Sequence, residues 1–180
     1  MFRDEKMAKN RSDRNINQKA KIRYISEAGM TAALYVVLTL LSAAMGLSSG
    51  AVQVRLSEAL CVLPVFFPAA IPGVTVGCLA ANLLTGGTVY DVVIGTLATL
   101  IGAWIAYLLR KMPYLSPIPT VISNAAAIPA VLILSGVGGW DLFPYFALTV
   151  GIGEFISCGI LGELLIYFIR KNDTLRSFLK

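Results

Sequence analysis

Residues 53–91 read QVRLSEALCVLPVFFPAAIPGVTVGCLAANLLTGGTVYD, a strongly apolar stretch with Gln53, Arg55, Glu58, Asn82 and Asp91 at its margins. If the stretch crosses a bilayer twice, those five residues fall at or near one side of it. Polar groups are costly against lipid, so a cluster at one depth marks a site. The prolines and the paired glycines inside the stretch predict short, interrupted helices, a feature of solute-binding bundles and uncommon in inert anchors.

The rest of the chain agrees with a membrane reading. Only 14% of the 180 residues are charged and 57% are apolar, against about 25% charged in soluble domains. Fifteen Lys and Arg are unevenly spread: eight precede residue 28, four follow residue 169, and only Arg55, Arg110 and Lys111 lie between. A net charge of +5 placed this way is a topology signal, and it gives no reason to expect nucleic acid. Cys61, Cys78 and Cys158 all lie in apolar segments without metal spacing, so they read as small hydrophobes. With no histidine in the chain, His-based acid–base catalysis and His-ligated metal are excluded. No phosphate-binding GxxxxGK[ST] loop is present, so any ATP-driven role would need a separate subunit. The expectation is therefore no enzyme, no metal and no cofactor.

Six spans fit, over about residues 27–47, 57–67, 71–86, 91–109, 117–134 and 143–169. The predicted fold is all-α, a polytopic six-helix membrane bundle. Residues 1–26 are expected as a mobile basic tail, 27–170 as the membrane domain and 171–180 as a second basic tail. An even number of spans puts both tails and the 110–111 pair on one side, which the positive-inside rule makes cytoplasmic. The segment 48–56 becomes an external loop. The second span is the weakest, because about twelve residues cover only some 18 Å of a roughly 30 Å core.

Under that topology Glu58 and Asp91 sit at the outer ends of their helices, and Asn82 lies about one turn below an outer end. Glu154 lies deeper, about three turns into the last span. Asn124 falls nearer the middle or inner half, while Gln53 and Arg55 occupy the loop that folds over the top. Together they outline an outward-facing polar pocket. Other readings exist for each: Glu58 and Asp91 as helix caps, the asparagines as interhelical hydrogen bonds, and Arg55 as an ion-pair partner of Glu58. Glu154 is the hardest to assign to structure alone, since a carboxyl at that depth costs about 2.5–3.5 kcal/mol. In the first span, Ala28 and Ala32 form one small-residue stripe and Gly29 and Ala33 a parallel one. Such stripes admit a second helix closely, from this bundle or from a partner. Gly73 and Gly77 make a GxxxG pattern for which packing inside the bundle is expected.

The segments VQVRLSEAL, LPVFFPAAIPGVTVGCLAANLLTG, DVVIGTLATLIGAW and VGIGEFISCGILG resemble the QueT family, over about residues 27–170. These are substrate-binding membrane subunits (S components) of energy-coupling-factor transporters, assigned to queuosine precursors. The resemblance implies six helices with both termini inside and a solute site in the outer half. It implies a first-helix small-residue motif, matched here by Ala28 and Ala32, that meets a transmembrane coupling subunit joined to two ATPase subunits. It also implies that the subunit topples in the bacterial cell membrane to deliver its solute.

A 7-deazaguanine fits the polar set. A carboxylate, Glu154 or Glu58, would accept its paired N–H donors; Asn82, Asn124 or Arg55 would donate to its carbonyl. Asp91 would suit the cation of an aminomethyl form, and Tyr90 or Trp140 would stack on the ring. The same architecture could carry a flavin, pterin or other purine-like solute, and a stand-alone transporter, channel or membrane enzyme is the more distant alternative.

Overall fold

The computed structural model describes the backbone of residues 2–47 and 52–174, with side chains from Asn17 onward. All regular structure among these residues is helical. Five long helices are α1 (Phe2–Ala44), α2 (Ala70–Leu84), α3 (Asp91–Leu108), α4 (Pro117–Leu134) and α5 (Trp140–Lys171). A 3-10 helix, Leu56–Val65, stands between α1 and α2. Residues 48–51 of the expected external loop and residues 175–180 of the expected C-terminal tail lie outside the described residues.

The segment expected as an N-terminal tail is helical from Phe2 and continuous with the first span. No Gly or Pro occurs before Gly29, and Lys, Arg, Glu, Gln and Ala are good helix formers. Periodicity gave no warning, because a helix without an apolar face leaves no stripe in the sequence. α1 stops where Gly46 takes φ 73°. There Leu47 N–H donates to Ser42 O and Gly46 N–H to Ala43 O, at 2.9 and 3.0 Å, the closed glycine terminus that satisfies the last carbonyls.

Four stretches are long and apolar enough to cross a membrane: Asn17–Ala44, Asp91–Leu108, Pro113–Leu134 and Trp140–Lys171. Leu56–Val65 and Ala70–Leu84 are shorter, about 20 and 22 Å long at 2.0 Å per 3-10 residue and 1.5 Å per α residue. Neither alone covers a core of about 30 Å.

The short 3-10 helix Leu56–Val65 is the centre of the molecule. Leu60, Cys61, Val62 and Leu63 of the 3-10 helix are buried, and α1, α2, α3 and α5 pack around them. Large apolar side chains instead point outward, including Leu34 and Val37 on α1, Leu97 and Ile101 on α3, and Leu148 and Phe155 on α5. A molecule with bulk apolar groups outside and two carboxyls, Glu58 and Glu154, inside is suited to lipid. In that medium helix association rests on close packing and hydrogen bonds, since lipid is as apolar as leucine.

Close packing is concentrated where α2 crosses α1. A Cβ at Gly73 would lie 2.7 Å from Thr31 Cβ and 2.9 Å from Ala28 O; at Gly77 it would lie 2.7 Å from Tyr35 Cβ and 3.0 Å from Ala32 O. Only glycine lets the two backbones approach this far. The GxxxG pattern thus packs internally, as its position predicts. Ala28 and Ala32 are half-buried along this crossing, whereas Gly29 and Ala33 are exposed on the outer side of α1. The two small-residue stripes therefore face different neighbours.

Candidate solute-binding site

The site begins with the backbone of residues 52–56, which enters the bundle beside α5. Gly153 makes this possible: a Cβ there would collide with the Gln53 carbonyl oxygen. The segment is then pinned at several points. Val54 N–H donates to Leu47 O at 2.9 Å, Arg55 N–H to Ser157 Oγ at 3.1 Å, and Leu56 N–H to Ser42 Oγ at 2.9 Å. Backbone donors that would be orphaned in an apolar bundle are paired by serines from two helices.

From this anchored segment the Arg55 guanidinium reaches α2, where Nη1 lies 3.4 Å from Asn82 Oδ1. Asn82 is 3% exposed and its Nδ2 donates to the Asp91 carbonyl oxygen at 3.0 Å, tying α2 to the start of α3. Asp91 itself closes a capping box with Thr88. Its carboxylate accepts from Thr88 N–H (2.9 Å) and Thr88 Oγ (2.8 Å), and its own N–H lies 3.3 Å from Thr88 Oγ. Thr88-Val89-Tyr90-Asp91 is the spacing such a box requires. The capping role weighed for Asp91 is the one its geometry shows.

Glu58 is 2% exposed and fully partnered. Tyr35 Oη on α1 donates to Oε1, and Cys61 Sγ lies 3.2 Å from Oε2. One turn along, Thr39 Oγ donates to Ser57 Oγ at 2.8 Å. Glu58 thus secures the central 3-10 helix to α1. The alternative pairing of Arg55 with Glu58 does not form among the described residues, because each side chain has turned to a different helix.

Two cavities lie on either side of Gln53 and Arg55. The inner one, about 30 Å³, is lined by those two with Cys78, Gly95, Thr99, Asn124, Ile128, Val150 and Glu154. It has room for about two waters. The outer one, about 380 Å³, runs past Thr39, Asn82, Gly86 and Asp91, within the range of small-molecule pockets. Arg55 and Gln53 line both, so they form the partition between them.

The inner cavity holds unpaired polar atoms. Asn124 and Glu154 are 3% and 8% exposed, yet Asn124 Oδ1 and Glu154 Oε2 have no hydrogen-bond partner. Native interiors rarely leave such acceptors unpaired, and those that remain call for a functional explanation. These two acceptors thus share a small space with the Arg55 guanidinium and the Gln53 amide.

Both π-helical turns of the molecule's described residues adjoin this region: Asp91–Gly95 ends at a cavity glycine, and Phe155–Ile160 follows Glu154 directly. A π turn adds a residue to a helical turn and rotates the side chains beyond it; such turns concentrate at functional sites.

Of the residues expected at the site, Gln53, Arg55, Asn82, Asp91, Asn124 and Glu154 line one cavity or both. Glu58 lies against α1 and lines neither. Tyr90 and Trp140, 44% and 63% exposed, also line neither; Trp140 instead stacks on Phe143, with ring centroids 6.3 Å apart. The sequence reading missed Cys78, Gly95 and Thr99, which contribute small lining groups, and Tyr35, which holds Glu58. Tyr35 sits in a uniformly apolar run and nothing in the sequence singles it out.

These features can be set beside known proteins. Residues 25–171 match the family model described as QueT transporter. The chain belongs to the QueT transporter family. It is 38% identical over 84 residues to the "Queuosine precursor transporter QueT" of Lactococcus lactis subsp. cremoris (strain MG1363). That alignment covers 47% of this chain and 49% of the relative, so the match spans about half of each. No solved structure matches the chain. Family membership agrees with a membrane transport protein, and the resemblance in residues 27–170 coincides with the span of the family match.

Proposed function

We propose that this chain is the solute-binding subunit of an energy-coupling-factor importer and that it captures a 7-deazaguanine queuosine precursor, in its aminomethyl or cyano form. The observation that carries this reading is the pair of unpartnered acceptors, Asn124 Oδ1 and Glu154 Oε2, in one cavity with Arg55. Such a base offers adjacent N–H donors beside a carbonyl acceptor. Glu154 and Asn124 accept the donors, and Arg55 or Gln53 donates to the carbonyl. In this reading the solute occupies the outer cavity past Asp91 and Asn82, and when Arg55 swings aside the two cavities join, so that the edge of the base meets Glu154 and Asn124. The Lactococcus relative carries a queuosine precursor in its name, which supports the same solute class.

All six helical segments cross the bilayer in this reading, the 3-10 helix and α2 being the short pair, with both termini cytoplasmic. Energy comes from a coupling subunit and two ATPase subunits, against which the bundle topples to present the solute inward. The exposed Gly29–Ala33 stripe of α1 is the docking face for the coupling subunit; Ala28 and Ala32 border it from the α2 side.

Native mass spectrometry of the protein purified in mild detergent tests the solute. A retained mass matching a 7-deazaguanine is expected. A flavin or pterin mass, or no binding of any added 7-deazapurine, would overturn the assignment. The docking face is tested by Gly29→Leu combined with Ala33→Leu. Co-purification with the coupling and ATPase subunits should be lost while solute retention persists. Undiminished co-purification would remove this stripe from the interface.

A further inference from the structure

Arg55 is the one cation among the described residues that line either cavity. Its hold on the outer side is slight. Nη1 lies 3.4 Å from Asn82 Oδ1, against about 2.7–2.9 Å for a guanidinium on a carboxylate. Asn82 cannot turn to improve the fit, because its Nδ2 donates to the Asp91 carbonyl oxygen at 3.0 Å. Arg55 forms no ion pair with any described carboxylate. Its backbone is fixed, with N–H on Ser157 Oγ at 3.1 Å, so the side chain alone is left to move.

On the inner side stand two acceptors that suit a guanidinium better. Glu154 Oε2 and Asn124 Oδ1 are buried and unpartnered, and the Asn124 side chain bonds the other Glu154 oxygen, which keeps the two groups side by side. A carboxylate beside an amide oxygen complements the planar fork of N–H donors that arginine carries. The amidine-like edge of a 7-deazaguanine presents the same planar pair of donors. A bare carboxylate in an apolar bundle is costly, and the guanidinium lining the same cavity is the group at hand to relieve that cost.

We propose that the inner cavity is a receptor for a planar edge of paired N–H donors, of guanidinium or amidinium type, and that Arg55 fills it with its own guanidinium while no solute is bound. The solute then displaces a stand-in of its own chemistry. Its edge takes over Glu154 and Asn124, and Arg55 turns outward to Asn82, where it can also donate to the carbonyl of the base. Hydrogen bonds are exchanged, and the carboxylate is at no stage left without a donor. Cations that lack a planar donor pair fail the exchange whatever their charge. Displacement by a base rests on the solute reading proposed above, whereas the receptor for a planar donor pair does not.

The probe is methylguanidinium, which needs no queuosine precursor. Arg55→Ala empties the receptor, and thermal unfolding in detergent should then show saturable stabilisation by methylguanidinium, with affinity at least about tenfold above that for tetramethylammonium. Adding Glu154→Gln should erase the difference. The unaltered protein should show no such stabilisation, its cavity being taken. In full-length protein carrying isotope-labelled arginine, the Arg55 Nε–H resonance, assigned by its absence from Arg55→Lys, should shift on Glu154→Gln and hold still on Asn82→Leu. Methylguanidinium bound by Arg55→Ala no better than tetramethylammonium would overturn the receptor. An Arg55 resonance that follows Asn82 instead of Glu154, or equal methylguanidinium binding by the unaltered protein, would overturn the stand-in. Failure to bind any 7-deazaguanine, with these results intact, would refute only the solute assignment.

Discussion

Glu154→Gln is expected to lower solute affinity by about tenfold to a hundredfold, because a charged acceptor contributes about 1.5–3 kcal/mol to a buried hydrogen bond. The substitution keeps shape and size. It replaces one acceptor oxygen by an NH₂ group that faces the donors of the base, so an attraction becomes a clash of donors. The folded bundle should tolerate it, since Glu154 Oε2 has no partner, the amide keeps one oxygen for the Asn124 side chain, and a neutral amide is cheaper than a carboxylate in an apolar bundle. Calorimetry with an aminomethyl or cyano 7-deazaguanine, together with thermal unfolding in detergent, separates the two effects. Unchanged affinity would remove Glu154 from the site. Lost affinity with a sharply lowered unfolding temperature would make it a structural residue.

Gly153→Ala is expected to be as damaging, although it changes no polar group. The Gln53 carbonyl occupies the space an alanine methyl would need, so the backbone of 52–56 must shift, taking the Gln53 and Arg55 side chains with it. Affinity should fall at least about tenfold, comparable to loss of a charged hydrogen bond. Helix content should hold, because alanine favours helix over glycine by roughly 0.5–1 kcal/mol. Gly151→Ala is the control on the same helix, since its Cβ would meet only Ala125 Cβ at an ordinary 3.7 Å. Equal affinities for the two variants would show that the approach of residue 53 to α5 does not shape the cavity.

These expectations rest on features of unequal visibility in the sequence. The paired acceptors illustrate the difference. Glu154 stood out because an isolated acid within an apolar span is costly, a statement about composition alone. That Asn124 shares its cavity did not follow, since helix depth places the two only loosely and their rotation about the helix axes decides whether they meet. Glu58 shows the reverse. It looked like a solute ligand or a water-exposed cap, yet Tyr35 and Cys61 occupy both its oxygens. A tyrosine in an apolar run gives no sign of its partner.

The small residues of α1 divide in the same way. Their spacing identified two stripes, and only the crossing with Gly73 and Gly77 shows which one borders α2. The tail before the first span was missed as helix because periodicity reports burial, and a helix that buries nothing has no period to report.

The sequence by itself determined the membrane class, the basic ends, the interruption at Pro64 and Pro68 and the small set of polar residues worth watching. Each follows from a transfer cost that a residue carries wherever the chain folds. The tertiary structure alone decided which polar groups are spent on holding helices together and which lack a partner in the bundle. Where helices are apolar on every side, the contrast that reveals a buried face is lost. Rotation is then set by close backbone contacts such as Gly77 on Ala32 and Gly153 on Gln53, and those exist only once the helices have packed.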